Sequence, residues 1–430
     1  MRRLNILHRK SSQKYSRFFR FLGPGLITGA ADDDPSGIAT YSQAGATYGF
    51  GQLWSIALCL PLMIAVQEAC ARIGSVTGKG LVKVTSELYS RKVLYGVVML
   101  VVVANIINIG ADIAAVGAAL NLLFPAPILL LSTIFTIIVL FLEIAIGYHA
   151  YAKFLKFLAL SLLAYVFTAI IVHPNWNEVF RALVVPQITW EANYWYVIVA
   201  LLGTTISPYM FFWQATEEVE EQKYAVKAGL PARSLRTIRR DNSIGMTISQ
   251  LGSVFMIVTT AVVLHQHGLK EIGSAADAAR ALEPLVQGFP NAGTYAKILF
   301  AMGIIGMGLL GIPVLAGSVS YAISDTRTWR QGLDYKFSQA KQFYAVIILA
   351  TAAGWLLNII GVDPIHALVF AAVINGLASI PLIFLIYRIS NDSRVMGIHT
   401  GGPLSRTMLL AAFIITLACG AILGYSLLSA

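Results

Sequence analysis

Gly23-Pro24-Gly25-Leu26-Ile27-Thr28-Gly29-Ala30-Ala31-Asp32-Asp33-Asp34-Pro35-Ser36-Gly37-Ile38 decides how this chain is read. The stretch lies inside residues 21–48, a run long enough to cross a bilayer, for which about 20 mostly apolar residues suffice. Its middle nevertheless holds three carboxylates, a proline and a glycine. Pro35 has no amide hydrogen and disfavours helix at Asp34, and Gly37 loosens the turn that follows. A charge at the bilayer centre costs at least about 2.5 kcal/mol on insertion scales, so such groups persist where they face a cavity or a cation. The expectation is a helix broken near 32–37, with Asp34 at the break. Asp32 and Asp33 either line a path or do plainer work, capping the second half-helix or facing a solvated vestibule.

Outward from this run the chain repeats the apolar theme. Further spans are expected at 53–74, 93–122, 127–147, 152–172, 195–214, 243–265, 294–323, 343–361, 364–387 and 407–428, eleven in all. The composition agrees: 57% of residues are hydrophobic and 12% charged, with a mean hydropathy of +0.72. A soluble domain carries roughly 25% charged residues. Cys59, Cys70 and Cys419 sit in apolar runs without ligand or pairing spacing, and read as small buried hydrophobes. The basic N-terminus is not followed by a short apolar stretch with a cleavage site, so no removable signal peptide is expected.

Charge fixes the expected orientation. With a cytoplasmic N-terminus, 27 of the 31 Lys and Arg fall in inner segments; Arg181, Lys270, Arg280 and Lys297 fall outside. That bias is the positive-inside pattern. It predicts a multi-pass protein of the cell membrane with its C-terminus outside. The formal net charge of +10 is therefore a topology signal. No recognition module accompanies the basic segments, so no nucleic-acid partner is expected.

A second break is predicted near 204–209, in Leu202-Gly203-Thr204-Thr205-Ile206-Ser207-Pro208-Tyr209-Met210. It follows the first by five spans. Interrupted helices at matching positions of two halves mark inverted-repeat transporters, whose unwound backbone can coordinate an ion at mid-membrane. The expected organisation is a basic tail at 1–20, a five-helix repeat at 21–172, a second at 195–387 and an eleventh helix at 407–428.

These residues resemble the Nramp family of divalent metal transporters, which have the leucine-transporter fold. The family pattern GPG, DPGN and QAGA-x-YG is met by Gly23-Pro24-Gly25, Asp34-Pro35-Ser36-Gly37, Gln43-Ala44-Gly45-Ala46 and Tyr48-Gly49. Ala119-Leu120-Asn121-Leu122-Leu123-Phe124 extends the match. The resemblance implies an all-α polytopic membrane protein, a 5+5 inverted repeat plus an eleventh helix. It also implies that Asp34 is a metal ligand. The departures bear on selectivity. Gly37 stands where the family has Asn, Ser207 where it has Met, and Tyr209 where it has His. A second family histidine falls near Gln214, and the span-10 glutamine at Ala372, with Asn375 one turn on. Of two span-3 acids only Asp112 is matched; the other falls near Ile109. The set is similar to the Nramp-related magnesium transporters, which lack the soft sulfur and the proton relay.

The expected metal site is thus Asp34, Gly37, Thr205, Ser207 and Asn375, with Asp32, Asp33, Asp112 and Tyr209 along the pathway. A thioether favours softer metals, whereas oxygen ligands suit Mg²⁺, Ca²⁺ and Mn²⁺. Mg²⁺ usually keeps several waters when bound. Tyrosine ordinarily titrates near 10 and glutamine not at all, so uncoupled transport is expected. Asn105 and Asn108 either line the path or bond between helices. Glu68 and Glu143 read as structural acids paired with nearby Arg or Lys. Glu217, Glu218, Glu220 and Glu221 either attract cations at the inner mouth or form a solvated helix end, the plainer reading, and His366 reads as a helix-end residue. No nucleotide loop, His/Cys cluster or nucleophile–base pair is present, so neither an enzyme nor a cofactor is expected. The expected partners are a divalent cation and the lipid bilayer, and the sequence does not specify an oligomeric state. Two other functions remain open: a carrier of the same fold for a small organic solute such as an amino acid, or a metal-sensing or scaffold protein.

Overall fold

A computed structural model describes residues 24–145, 163–227, 233–333, 335–361 and 363–429. The basic tail at 1–20 and the first part of the fifth span lie outside these residues. The long helices are α1 (Pro24–Asp32), α2 (Pro35–Tyr48), α3 (Leu53–Thr77), α4 (Arg91–Leu123), α5 (Ile128–Ala145), α6 (Leu163–Ile171) and α7 (Ala192–Thr205). They continue with α8 (Pro208–Lys227), α9 (Leu235–Val263), α10 (Ala292–Arg327), α11 (Lys341–Leu357), α12 (Pro364–Ser390) and α13 (Pro403–Ser429). Among the described residues nine helices, counting α7–α8 as one, are long and apolar enough to cross a membrane. The α1–α2 pair supplies a tenth span, and α6 belongs to the fifth predicted run.

The chain leaves helix between Asp32 and Pro35 and again between Thr205 and Pro208, by ordinary end chemistry. Asp34 has extended backbone, φ −63° and ψ 174°, and its side chain accepts the Gly37 amide, an N-cap followed by proline at the first helical position. At the second break Ile206 leaves helical geometry, and Pro208 opens α8. Ser207 turns its hydroxyl back onto the carbonyls of Gly203 and Thr204, at 2.6 and 2.8 Å. It thereby satisfies groups that the end of α7 would leave bare.

The predicted boundaries fall short where helices run on into polar sequence. α8 continues to Lys227 and α9 begins at Leu235, well beyond the apolar runs ending at 214 and beginning at 243. Hydropathy marks the apolar slab, not the end of hydrogen bonding. Inside the bundle α9 lies against α1 and α2, α10 against α4, and α12 against α7 and α4. Both breaks are therefore enclosed by α4, α9, α10 and α12. Asn105 bonds between helices, donating to the Leu315 carbonyl at 3.2 Å. All three cysteines are free and buried.

Candidate cation site at the two helix breaks

Asp34 is 1% exposed, and both its oxygens are engaged. Oδ1 accepts the Ser36 hydroxyl at 2.6 Å and the Gly37 amide at 2.8 Å. Oδ2 accepts the Asn108 amide at 3.0 Å and lies 3.2 Å from the Tyr209 hydroxyl, which also reaches the Ala31 carbonyl at 3.0 Å. Asn375 of α12 donates to the Asn108 oxygen at 3.1 Å. Asn108 also approaches Asp112 Oδ2 at 3.4 Å, while Asp112 Oδ1 has no hydrogen-bond partner. A side-chain carbon at Gly311 of α10 would lie 3.1 Å from Asp34 Cβ and 3.7 Å from Asp112 Oδ2. The glycine thus lets α10 close over both acids.

The structure sorts the expected residues. Asp34, Tyr209, Asp112 and Asn375 meet around Asn108, which the sequence offered only as a pathway candidate. Thr205 does not turn toward Asp34: its hydroxyl bonds the Leu201 carbonyl at 2.8 Å. Ser207 is likewise occupied as a cap. The hydroxyl that does face the break is Thr204, fully buried and without a hydrogen-bond partner. It lies 3.0 Å from where a side-chain carbon at Gly37 would stand. The sequence does not single it out, because Thr204, Thr205 and Ser207 crowd four positions and only their side-chain directions separate them. Asp32 and Asp33 turn away from Asp34, toward α9: Asp32 Oδ2 accepts Ser249 at 2.7 Å and Asp33 Oδ1 accepts Ser253 at 3.4 Å.

Two features bracket this centre. On one side a cavity of about 920 Å³ is lined by Gln43, Thr47, Ala111, Val197, Glu271 and His366 among others. His366 sits at its rim as a helix-end residue, held by Asp363 at 2.9 Å. On the other side, the face bearing most of the Lys and Arg, α1 is pinned shut. Gly25 donates its amide to Asp241 Oδ2 at 3.0 Å, and Arg233 bonds the same oxygen at 2.8 Å and Glu218 at 3.4 Å. Thr28 and Gln214 bond at 2.5 Å, and Gln214 reaches Glu218 at 3.3 Å. The solvated helix end expected at Glu217–Glu221 is thus corrected. Glu218 is fully buried, and Glu220 accepts the Tyr321 hydroxyl at 2.8 Å. Arg233, two residues before α9, reaches Glu218 with its guanidinium. Glu68 is paired as expected, with Arg72 and Arg239 both at 3.1 Å. Glu143 has no hydrogen-bond partner among the described residues.

Two helices interrupted in register, crossing at a buried carboxylate with a cavity on one side and a closure on the other, define a membrane transporter of the leucine-transporter fold. The chain matches the family described as natural resistance-associated macrophage protein-like, Nramp, over residues 25–426, and belongs to it. It is 29% identical over 432 residues to the divalent metal cation transporter MntH of Verminephrobacter eiseniae, covering 96% of this chain and 89% of that one. The MntH of Yersinia pestis is also 29% identical, over 317 residues covering 69% and 71%. Among solved structures, the Eremococcus coleocola manganese transporter superposes with a TM-score of 0.70 at 18% identity, covering 94% of this chain and 85% of that one. MhsT, solved with L-phenylalanine, superposes at 0.61 and 13% identity, over 94% and 98%. At such identities these two likenesses speak for the fold alone.

Proposed function

We propose that this protein carries divalent metal cations across the cell membrane by alternating access. We further infer that it takes hard ions such as Mg²⁺ or Mn²⁺ and does so without proton coupling, as in the magnesium branch of the family. The observation that carries the reading is Asp34: a carboxylate buried at the crossing of two helix breaks, hydrogen-bonded only by oxygen and nitrogen groups. A half-turn of the Asn108 amide exchanges its donor for an acceptor. The centre then offers a carboxylate, an amide oxygen and the Thr204 hydroxyl, a hard-donor set. Asp34, Gly37, Thr204 and Asn108 form the proposed seat. Asn375 and Tyr209 hold it, and Asp112 adds negative field. The backbone around Thr205 and Ser207 supplies the second break.

The cavity and the Arg233 closure support one half of the cycle, open on the face opposite the basic loops. With the N-terminus cytoplasmic and the C-terminus outside, that cavity faces the exterior. The repeat limits 21–172 and 195–387 give the two halves that would exchange roles. A negative interior favours inward movement of a doubly charged ion by about 4.6 kcal/mol at about 100 mV, so uptake needs no proton partner. An organic solute bearing a carboxylate would meet Asp34 and, beside it, Asp112, which opposes the amino-acid carrier reading.

The test is flux of Mg²⁺, Mn²⁺, Ca²⁺ and Cd²⁺ into proteoliposomes with the potential clamped and internal pH recorded. Mg²⁺ or Mn²⁺ uptake at constant internal pH is expected. Acidification that tracks metal flux and disappears in Asp112→Asn would show coupling, and strong preference for Cd²⁺ would defeat the hard-ion reading. A cysteine at Ala430, outside the described residues, should react with an impermeant reagent from outside; labelling only after permeabilisation would overturn the orientation.

A further inference from the structure

We propose that Asp32 and Asp33, together with Ser249 and Ser253 of α9, form a second seat for a hard divalent cation, distinct from the one at Asp34. The proposal rests on the transporter reading above and deepens it. The three consecutive carboxylates do not share one direction. Asp34 caps α2 and turns to α4 and α8, whereas Asp32 and Asp33 turn to α9. The plainer role expected for the latter two, capping α2, is taken by Asp34.

What remains is a charge problem. Asp32 and Asp33 are 0% and 2% exposed, and no Lys or Arg pairs with either among the described residues. Asp32 moreover closes α1, where the negative end of the helix dipole disfavours an acid unless a cation is near. Two buried carboxylates without a basic partner match one doubly charged ion.

The surroundings supply the rest of a coordination shell. Ser249 and Ser253 stand one turn apart on one face of α9, each with its hydroxyl on one of the acids. Asp32 Oδ1 has no partner. Independently, the Tyr41 hydroxyl from α2 is fully buried without a hydrogen-bond partner, and the edge of its ring and the Asp32 carbonyl each lie 3.3 Å from where a side-chain carbon at Gly37 would stand. Space exists beside Asp33: a side-chain carbon at Gly252 would meet only Asp33 Oδ2 at 3.4 Å and a methionine methyl at 4.0 Å. Carboxylate and hydroxyl oxygens suit hard cations, and Mg²⁺-sized ions need bonds of only about 2.1 Å. Along α1 this seat lies between Asp34 and the closure at Gly25. It is a resting place for an ion leaving the first seat toward the basic face.

The test is the number of Mn²⁺ ions bound per chain by the purified full-length protein in nanodiscs, read by equilibrium dialysis and by the Mn²⁺ paramagnetic resonance signal. Wild type should bind two, Asp34→Asn one, and Asp32→Asn/Asp33→Asn one. Ser249→Ala/Ser253→Ala, which leaves the charges in place, should weaken one of two binding steps at least tenfold. Excess Mg²⁺ should displace both ions, and Na⁺ at equal ionic strength neither. A wild-type count of one, two ions retained by Asp32→Asn/Asp33→Asn, or displacement of one ion by Na⁺ overturns the second seat and leaves the Asp34 reading standing. A wild type that binds no Mn²⁺ overturns both.

Discussion

Asn108 donates its amide to Asp34 at 3.0 Å, so that the middle of α4 is tied to the break between α1 and α2. The same amide accepts from Asn375, which brings α12 into the contact. Asp34→Ala removes the carboxylate while leaving the helices their apolar packing. The expected outcome is a protein that inserts and purifies normally but carries no divalent cation above the liposome background. Asn108→Leu should lower uptake by at least tenfold at subsaturating ion, because one oxygen donor and the link to Asn375 are both lost. Normal flux in a well-expressed Asp34→Ala protein would remove that residue from the mechanism.

Thr204 stands where a side chain at Gly37 would otherwise reach. Thr204→Val keeps the shape and removes the hydroxyl. A hydrogen-bond-strength contact contributes about 1 kcal/mol, so the apparent affinity for Mn²⁺ should fall by roughly fivefold. Thr204→Ser should stay near wild type. Gly37→Asn introduces a side chain 3.0 Å from the threonine hydroxyl and should impair transport; Gly37→Asn/Thr204→Ala should recover it in part. Equal affinities in Thr204→Val and wild type, measured by concentration-dependent flux, would place the hydroxyl outside the seat.

Ser207 is the position at which a sulfur ligand could be installed. Ser207→Met loses two hydrogen bonds to the end of α7, at 2.6 and 2.8 Å, and some loss of thermal stability is expected. Its uptake ratio of Cd²⁺ to Mg²⁺ should rise by tenfold or more, since thioethers favour softer metals. An unchanged ratio in competition flux would show that position 207 does not face the ion.

Arg233 holds the closure of the basic face through Asp241 and Glu218. Removing one partner of a buried ion pair leaves the other charges uncompensated. Arg233→Gln should therefore shift the carrier toward the state open on that face. A cysteine at Ala31, deeper along α1 than the closure, should react with a thiol reagent supplied from the basic face about tenfold faster in this background, a change of about 1.4 kcal/mol. Identical labelling rates would assign Arg233 a purely structural role.

The breaks were legible in the sequence because their causes are local: a proline without an amide hydrogen, an aspartate that caps, a serine that closes a helix end. The eleven apolar runs were legible because a bilayer imposes a length. Side-chain direction was not, since it depends on which helix arrives opposite. Thr204, Thr205 and Ser207 are interchangeable on paper, yet only the first has its hydroxyl free beside Gly37. Asp32, Asp33 and Asp34 read as one cluster, yet they face two different helices. The Glu218–Arg233 pair was hidden for a related reason. The Arg233 guanidinium turns what looks like a wetted helix end into part of a closure.

Asp34 has two employments that compete. The oxygen that fixes the first turn of α2, through Gly37 and Ser36, is also among the few that an arriving ion can take. Each bond the ion claims is withdrawn from the helix end, so loading should slacken the hinge at which α1 and α2 meet. Cargo recognition and hinge stiffness would then be one quantity, and the protein needs no separate messenger to register that it has been filled.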